Sequence, residues 1–332
     1  MTELRIDPLS GHKTIVAGER SRRPGGEPGC AAPEPIDREL DPFAEGHEDR
    51  TPPELDAIRP GGGPANSPGW TVRVVPNLYP ALSPGGETGG GDAGAPRPDE
   101  PGLFVSRPAT GAHEVIINGP QPVLSLADLP LEQVIATVDM WRERMRVHAD
   151  SAYVQLIVNE RREAGASLPH THSQLYALDF VPPAVARERE RFGAYATRMM
   201  GQNLLADMVA EEVRLRERIV AIDEAAVLIA PYASRLPFQL MLAPRVPRAR
   251  FEDDGPTGAA LLHDGLSRLA RHLGSSPPLN LWVRTAPRGA EHFCWRVDVL
   301  PRLTHIAGLE LATEVNLNIV APEHAAALLR DA

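Results

Sequence analysis

Hydrophobic and polar positions along this chain alternate between two periods, and the changes of period divide it into elements. Residues 70–75 alternate apolar and polar side chains and predict a strand, with residues 113–117 as its partner. Residues 129–150 place Leu131, Val134, Ile135, Val138, Trp141 and Met145 at helical spacing, which predicts a long amphipathic helix. Residues 153–158 predict a further strand, and residues 170–174 another after a connecting loop. This half is an α+β pattern, antiparallel strands with one helix on a face.

Pro182 and Pro183 then punctuate the chain. Helices are predicted at about residues 184–200 and 203–217, strands within 219–230 and at 238–243, a helix at about 257–273, and strands at 279–284 and 294–300. The second half repeats the order of the first: strands, a helix, more strands. We expect two α+β domains, residues 1–183 and 184–332, each an open antiparallel sheet with packed helices. No repeat is visible in the residues themselves.

Residues 1–60 carry much Pro, Gly and charge around one strand-like run, residues 13–17, and so must lie over another surface. Two breaker-rich tracts, 60–69 and 83–101, read as loops. The second is glycine-rich but lacks the Lys-Ser/Thr ending and following helix of a phosphate loop.

The densest chemistry falls in Ala164-Gly-Ala-Ser-Leu-Pro-His170-Thr-His172-Ser-Gln174. On one extended strand His170, His172 and Gln174 share a face, preceded by small residues that let a phosphate approach the backbone. Three chemistries fit: an imidazole nucleophile toward phosphorus with an amide holding the non-bridging oxygens, a metal pair, or a polar strand surface. The nucleophile reading requires the His172 ring to reach an open pocket beside Gln174.

Bulk composition narrows the class. The 332 residues are 42% hydrophobic and 23% charged, as in an ordinary globular chain. The net charge of −10 and pI of about 5.6 argue against nucleic acid as a partner. Lys13 is the single lysine, a bias without mechanistic weight. Cys30 and Cys294 alone exclude a disulfide framework and a cysteine-rich zinc module. The N-terminus lacks a signal-peptide pattern and no run approaches a membrane span, so a cytoplasmic protein without membrane partners is expected.

An ordered set of segments resembles the galactose-1-phosphate uridylyltransferase family of the histidine-triad superfamily. They are Asp7-Pro-Leu-Ser10, Glu19-Arg-Ser-Arg-Arg-Pro24, Gly46-His-Glu-Asp-Arg-Thr-Pro-Pro-Glu54 and Val75-Pro-Asn-Leu-Tyr-Pro-Ala-Leu82, followed by His113-Glu-Val-Ile-Ile117, Asn159 and the 164–174 segment. Pro231-Tyr-Ala-Ser-Arg235, Pro301-Arg-Leu-Thr304 and Ala307-Gly-Leu-Glu310 complete the set. Each segment is weak alone; their order and spacing over nearly the whole chain are specific.

The resemblance implies two histidine-triad-like domains in a homodimer, acting in galactose metabolism on a nucleotide sugar and a sugar 1-phosphate. It implies ping-pong transfer of UMP between a UDP-hexose and a hexose 1-phosphate, with His172 as nucleophile and Gln174 bonding the transferred phosphoryl group. Ser167 and Asn159 match residues that hold phosphates and ribose. Arg20, Arg23 and Asn77 match nucleotide-side contacts, and Glu310 a glutamate that bonds hexose hydroxyls. The alternatives are an ADP-sugar phosphorylase or adenylyltransferase using the same histidine, or a degenerate paralogue that binds nucleotide without transfer.

The chain departs from the family's metal sites. The zinc-binding Cys-x-x-Cys pair falls on Asp41-Pro-Phe-Ala44 and the distant ligand near Gln121 and Pro122, leaving His170 and Asp41. The His-x-His of a second metal site falls on Cys294-Trp-Arg296, with Asp298 beyond. No metal cofactor is expected, and His170 is expected to hydrogen-bond or pack. At the hexose end Gln239 replaces a common acid, so a changed acceptor is plausible.

Overall fold

Thirteen strands and six α-helices are found among the described residues, 2–22, 29–83 and 103–332, of the computed structural model. The first half holds β1 (Glu3–Ile6), β2 (Lys13–Val16), β3 (Asp56–Ile58), β4 (Val72–Pro76), β5 (Gly111–Ile117), α1 (Leu131–Val147), β6 (Tyr153–Glu160) and β7 (His172–Leu178). The second holds α2 (Pro183–Arg198), α3 (Leu204–Leu215), β8 (Ile219–Ile222), β9 (Ala226–Ile229), β10 (Leu240–Pro244), α4 (Ala259–Leu273), β11 (Leu279–Arg284) and β12 (Arg296–Pro301). After these come α5 (Gly308–Thr313), β13 (Val315–Asn318) and α6 (Pro322–Arg330). The architecture is α+β, as the periodicity predicts.

Ten strands form one antiparallel sheet in the order β3-β4-β5-β7-β6-β11-β12-β10-β9-β8. Read outward from the centre, both halves have the same order, with α1 between β5 and β6 and α4 between β10 and β11. The halves meet where β6 and β11 pair, Glu160 with Leu279 through Ile157 with Trp282. The two sets of strands therefore share one continuous sheet. The duplication suggested by element order is present in the backbone although no residues repeat.

Alternation along the strands decides what each face carries. In β6, Val154, Leu156 and Val158 enter the main core, while Gln155, Ile157 and Asn159 look the other way, half-buried. Trp141, Val134, Val138 and Met145 of α1 and Leu262, Leu266 and Leu269 of α4 cover the apolar face. On the opposite face α2 and α3 cover the strands of the second half, with Phe192, Leu205 and Val209 against Val227, Ile229 and Met241. The segment around Phe43 covers part of the first half with Trp70, Val115 and Ile117. At the start of β5, Gly111 has φ 144 and a Cβ there would lie 1.9 Å from the Ala177 carbonyl oxygen, so only glycine lets β5 close against β7.

Three differences from the sequence expectations stand out. Strand β7 begins at His172, and His170 lies in the bend before it. The N-terminal run 13–17 is not alone: β1, β2 and the C-terminal β13 form a separate three-stranded sheet, with β2 and β13 parallel. Strand β3 and helices α5 and α6 lie where no element is predicted, because they are short and stabilised by partners distant in sequence. The loop tract 83–101 lies, beyond Ser83, outside the described residues. No described helix is long and apolar enough to cross a membrane.

Beneath β7, the buried carboxyl of Glu160 accepts from the Ser125 hydroxyl at 2.6 Å and the Leu126 N–H at 2.7 Å. Burial pushes its pKa up to about 7, with those bonds opposing. A raised carboxyl contributes stability that is complete below its unfolded pKa near 4.5 and is lost as pH rises through about 7. Glu160→Gln removes that slope, so relative to the parent the variant should gain about 3 kcal/mol between pH 4.5 and 7.5. Denaturant unfolding of both proteins across that range checks it; parallel pH curves would refute it.

Candidate active site

Strand β7 sends Leu175 and Ala177 into the core and leaves His172, Gln174 and Tyr176 on the opposite face. Pairing fixes their neighbours: Ile117, Val115 and His113 of β5 on one side, and Ile157 and Gln155 of β6 opposite Gln174 and Tyr176 on the other. Continued one residue, the β6–β7 register sets Asn159 beside His172.

The His172 ring sits with Nδ1 2.8 Å from the His170 carbonyl oxygen. A carbonyl only accepts, so Nδ1 carries the proton and Nε2 of the neutral ring keeps its lone pair. Nε2 has no hydrogen-bond partner among the described residues. Burial holds the imidazole below its ordinary pKa, with the His170 carbonyl bond opposing. Phe43 meets the ring edge-on at 5.2 Å between centroids, and His172 is only 4% exposed. The nucleophile reading requires an open pocket; in this structure the ring is nearly covered.

Gln174 is oriented by a chain of bonds. The Ala81 N–H donates to His113 Nδ1 at 3.1 Å, which places the neutral ring's proton on Nε2. His113 Nε2–H then donates to Gln174 Oε1 at 3.0 Å, and the Tyr176 hydroxyl donates to the same oxygen at 2.9 Å. With its oxygen doubly engaged, the Gln174 amide NH₂ is left to point elsewhere. Burial lowers the His113 pKa, which keeps that ring neutral, and the ring stacks on Tyr176 at 4.0 Å.

The remaining predicted residues divide. Asn77 lies beside this network, its Oδ1 accepting from the Tyr79 N–H at 2.9 Å; its Nδ2, 3.1 Å from His113 Nε2, meets a nitrogen that already bears the proton and makes no hydrogen bond with it. Asn159 Oδ1 accepts from Asn280 Nδ2 at 2.8 Å across the junction of the halves. Ser167 is exposed, in a groove of about 530 Å³ bordered by Pro33, Arg161 and Arg162. Arg20 is exposed in the short 3-10 helix Gly18–Arg22 and makes no contact with His172 or Gln174. Arg23 lies outside the described residues. Glu310, half-exposed on α5, accepts from the Ala307 N–H at 3.1 Å and does not touch the His172 cluster.

His170 does not continue the strand's face. Its Nδ1 lies 2.6 Å from Asp41 Oδ2 and its Nε2 donates to the Gly119 carbonyl at 2.9 Å, with the ring fully buried. These ties fix the backbone whose carbonyl holds His172. His113, Tyr176 and Asn280 were not among the predicted site residues. Alternation puts His113 on one face of its strand, but only the pairing of β5 with β7 reveals that Gln174 is its neighbour.

Set against known proteins, residues 2–182 match the family model "Galactose-1-phosphate uridyl transferase, N-terminal domain". Residues 128–331 match a domain of unknown function, DUF4921. The chain is 28% identical to an ADP-glucose phosphorylase of Arabidopsis thaliana over 99% of its own length and 92% of that protein's. It is 28% identical to a galactose-1-phosphate uridylyltransferase of Cryptococcus neoformans, over 98% of this chain and 89% of the relative. A crystal structure of the Arabidopsis ADP-glucose phosphorylase with bound ADP-glucose superposes with a TM-score of 0.81 at 26% identity, covering 100% of this chain and 99% of that one. The chain thus belongs to the galactose-1-phosphate uridyl transferase family and is a nucleotidyltransferase of that family.

Proposed function

We propose that this chain moves UMP between a UDP-hexose and a hexose 1-phosphate through a covalent adduct on His172 Nε2. The observation that carries the reading is the fixed tautomer: the proton is held on Nδ1 by the His170 carbonyl, so Nε2 is the free nucleophilic nitrogen. Its lone pair attacks the α-phosphorus, the bond from phosphorus to the bridging oxygen breaks, and the sugar 1-phosphate leaves with the electron pair. In the second half-reaction a phosphate oxygen of the acceptor attacks the same phosphorus and the N–P bond breaks, returning its pair to Nε2. The Nδ1–H bond to the His170 carbonyl stabilises the positive ring of the adduct, while the Gln174 NH₂ donates to a non-bridging oxygen. Asn159 and Asn77 serve from the same face, Ser167, Arg20 and Arg23 from the nucleotide side. Glu310 is remote from this His172, so on this reading it serves the site of a second copy in a homodimer.

A second reading has specific support. The relative that matches 99% of this chain, and the ADP-glucose-bound structure of TM-score 0.81, are ADP-glucose phosphorylases. The same histidine then carries AMP and free phosphate is the acceptor.

Metals are not part of either reading. Both His170 ring nitrogens are engaged and Ala44 has no donor, so these residues do not fit a zinc cage. Burial pushes the Cys294 thiol up to about 12, so it stays protonated beside Arg296 and does not fit a cation.

Intact-mass spectrometry after exposure to UDP-glucose or ADP-glucose should show one nucleotidyl adduct whose mass identifies the base, and His172→Ala should lose both adduct and turnover. Active parent protein that never carries an adduct would rule the reading out. Because burial lowers the His172 pKa, the neutral nucleophile persists in mild acid, so adduct formation should hold its plateau to below pH 6.5 before falling. A rate already declining at neutral pH would contradict it. Gln174→Ala should lower kcat by about 10² and His113→Phe by about tenfold. The double variant should cost no more than Gln174→Ala alone, since His113 acts through Gln174; additive losses would show that it does not.

A further inference from the structure

The duplicated sheet assigns each position of the first half a counterpart in the second. His172, at the start of β7, falls beside Asn159 when the β6–β7 register is continued one residue; Arg296, at the start of β12, pairs with Arg284 of β11. At the junction, Asn159 pairs with Asn280 and Ile157 with Trp282, and continuing that register pairs Gln155 with Arg284. A twofold exchange of the halves therefore carries Asn159 onto Arg284, His172 onto Arg296 and Gln174 onto Asp298. The second half thus has its own version of the place where the first half holds His172.

That place is a cavity of about 100 Å³, walled by Trp282, Arg284, Arg296, Arg235 and the N-terminal residues Asp7 to His12. A water occupies roughly 30 Å³ of liquid, so there is room for one tetrahedral oxyanion. The carboxylates around it are already engaged. Both Glu188 oxygens accept from Arg296 at 3.0 Å, and Asp298 accepts from Arg296 Nε at 2.9 Å. Asp7 accepts from the backbone N–H groups of Leu9 and Ser10 at 3.1 Å.

The donors are not matched in the same way. Trp282 Nε1 is buried without a hydrogen-bond partner, a costly state for a donor unless a ligand or water meets it; Arg284 Nε also lacks a hydrogen bond, though it lies 3.4 Å from Glu188 Oε2 in an ion pair. The Arg235 guanidinium lies over the Trp282 ring at 5.2 Å and makes no hydrogen bond or ion pair within the described residues. Burial, and then the positive charges of Arg235 and Arg187, push the His12 pKa down, with Glu314 and Asp7 opposing.

We propose that this cavity binds a phosphoryl oxyanion, as inorganic phosphate or as the head of a sugar phosphate. Where the family resemblance implies a cation, the guanidinium of Arg296 neutralises the carboxylates from within, and the surplus donors invert the preference to an anion. The planar guanidinium of Arg235, which has no carboxylate of its own, and the Trp282 indole N–H suit the spread oxygens of phosphate.

Calorimetric titration of inorganic phosphate and of glucose 1-phosphate into the full chain tests this, with crystals soaked in phosphate locating the ion. Binding of either ligand, with tetrahedral density between Arg235 and Trp282, supports the site; tighter binding of glucose 1-phosphate identifies the sugar phosphate as its source, and equal or tighter binding of phosphate identifies the free ion. Arg235→Gln should weaken that binding at least about tenfold. Trp282→Phe, which removes only the indole N–H, should weaken it a few-fold and stands in if the arginine variant fails to fold. Density beside His172 alone, no binding, unchanged affinity in both variants, or a divalent metal in the cavity would overturn the proposal. Neither outcome depends on whether His172 forms an adduct, so this site and the transfer reading fail separately.

Discussion

The antiparallel seam between β6 and β11 is the contact on which the rest of the molecule depends. Without it there are two five-stranded sheets, each ending in an unpaired edge strand, a form that invites pairing with other chains. With it the edges disappear into a ten-stranded sheet, and α1 and α4 pack against each other and a shared apolar face. The register of the seam also puts Asn280 across from Asn159, one strand from His172. Arg142 reinforces it from the helical side, fully buried, donating to the Thr257 carbonyl at 2.6 Å and lying 4.4 Å over the Phe251 ring.

Around His172 the geometry is set by backbone groups that cannot change roles, a carbonyl that only accepts and an N–H that only donates. The carbonyl of His170 holds one proton on one nitrogen, and the Ala81 N–H holds another on the far side of His113. The lone pair of His172 Nε2 and the NH₂ of Gln174 are thereby held in fixed orientation on one face of the strand. Asp41 and Gly119 tie down the His170 ring from both of its nitrogens and so hold the backbone carbonyl that meets His172.

The halves share a backbone and have diverged in side chains. At equivalent positions on β7 and β12, one half carries an imidazole and a carboxamide, the other a guanidinium and a carboxylate closed into a network with Glu188. A strand order repeats where residues do not because pairing uses the backbone and needs only alternation, whereas a chemical centre needs particular atoms.

The periodicity of residues 129–150, 153–158 and 257–273 located α1, β6 and α4 to within about three residues at each end, because long runs bury enough apolar surface to dictate their own form. The motif at 164–174, with its ordered neighbours, determined the family and drew attention to His172 and Gln174. Tertiary structure alone decided that β1, β2 and β13 form a sheet, since four-residue strands are stabilised by partners some three hundred residues away. It alone decided that His170 leaves the face of His172, and that His113 and Tyr176 orient Gln174. Which strands become neighbours, and in what register, is set by the packing of the whole sheet, and no local stretch of sequence encodes it.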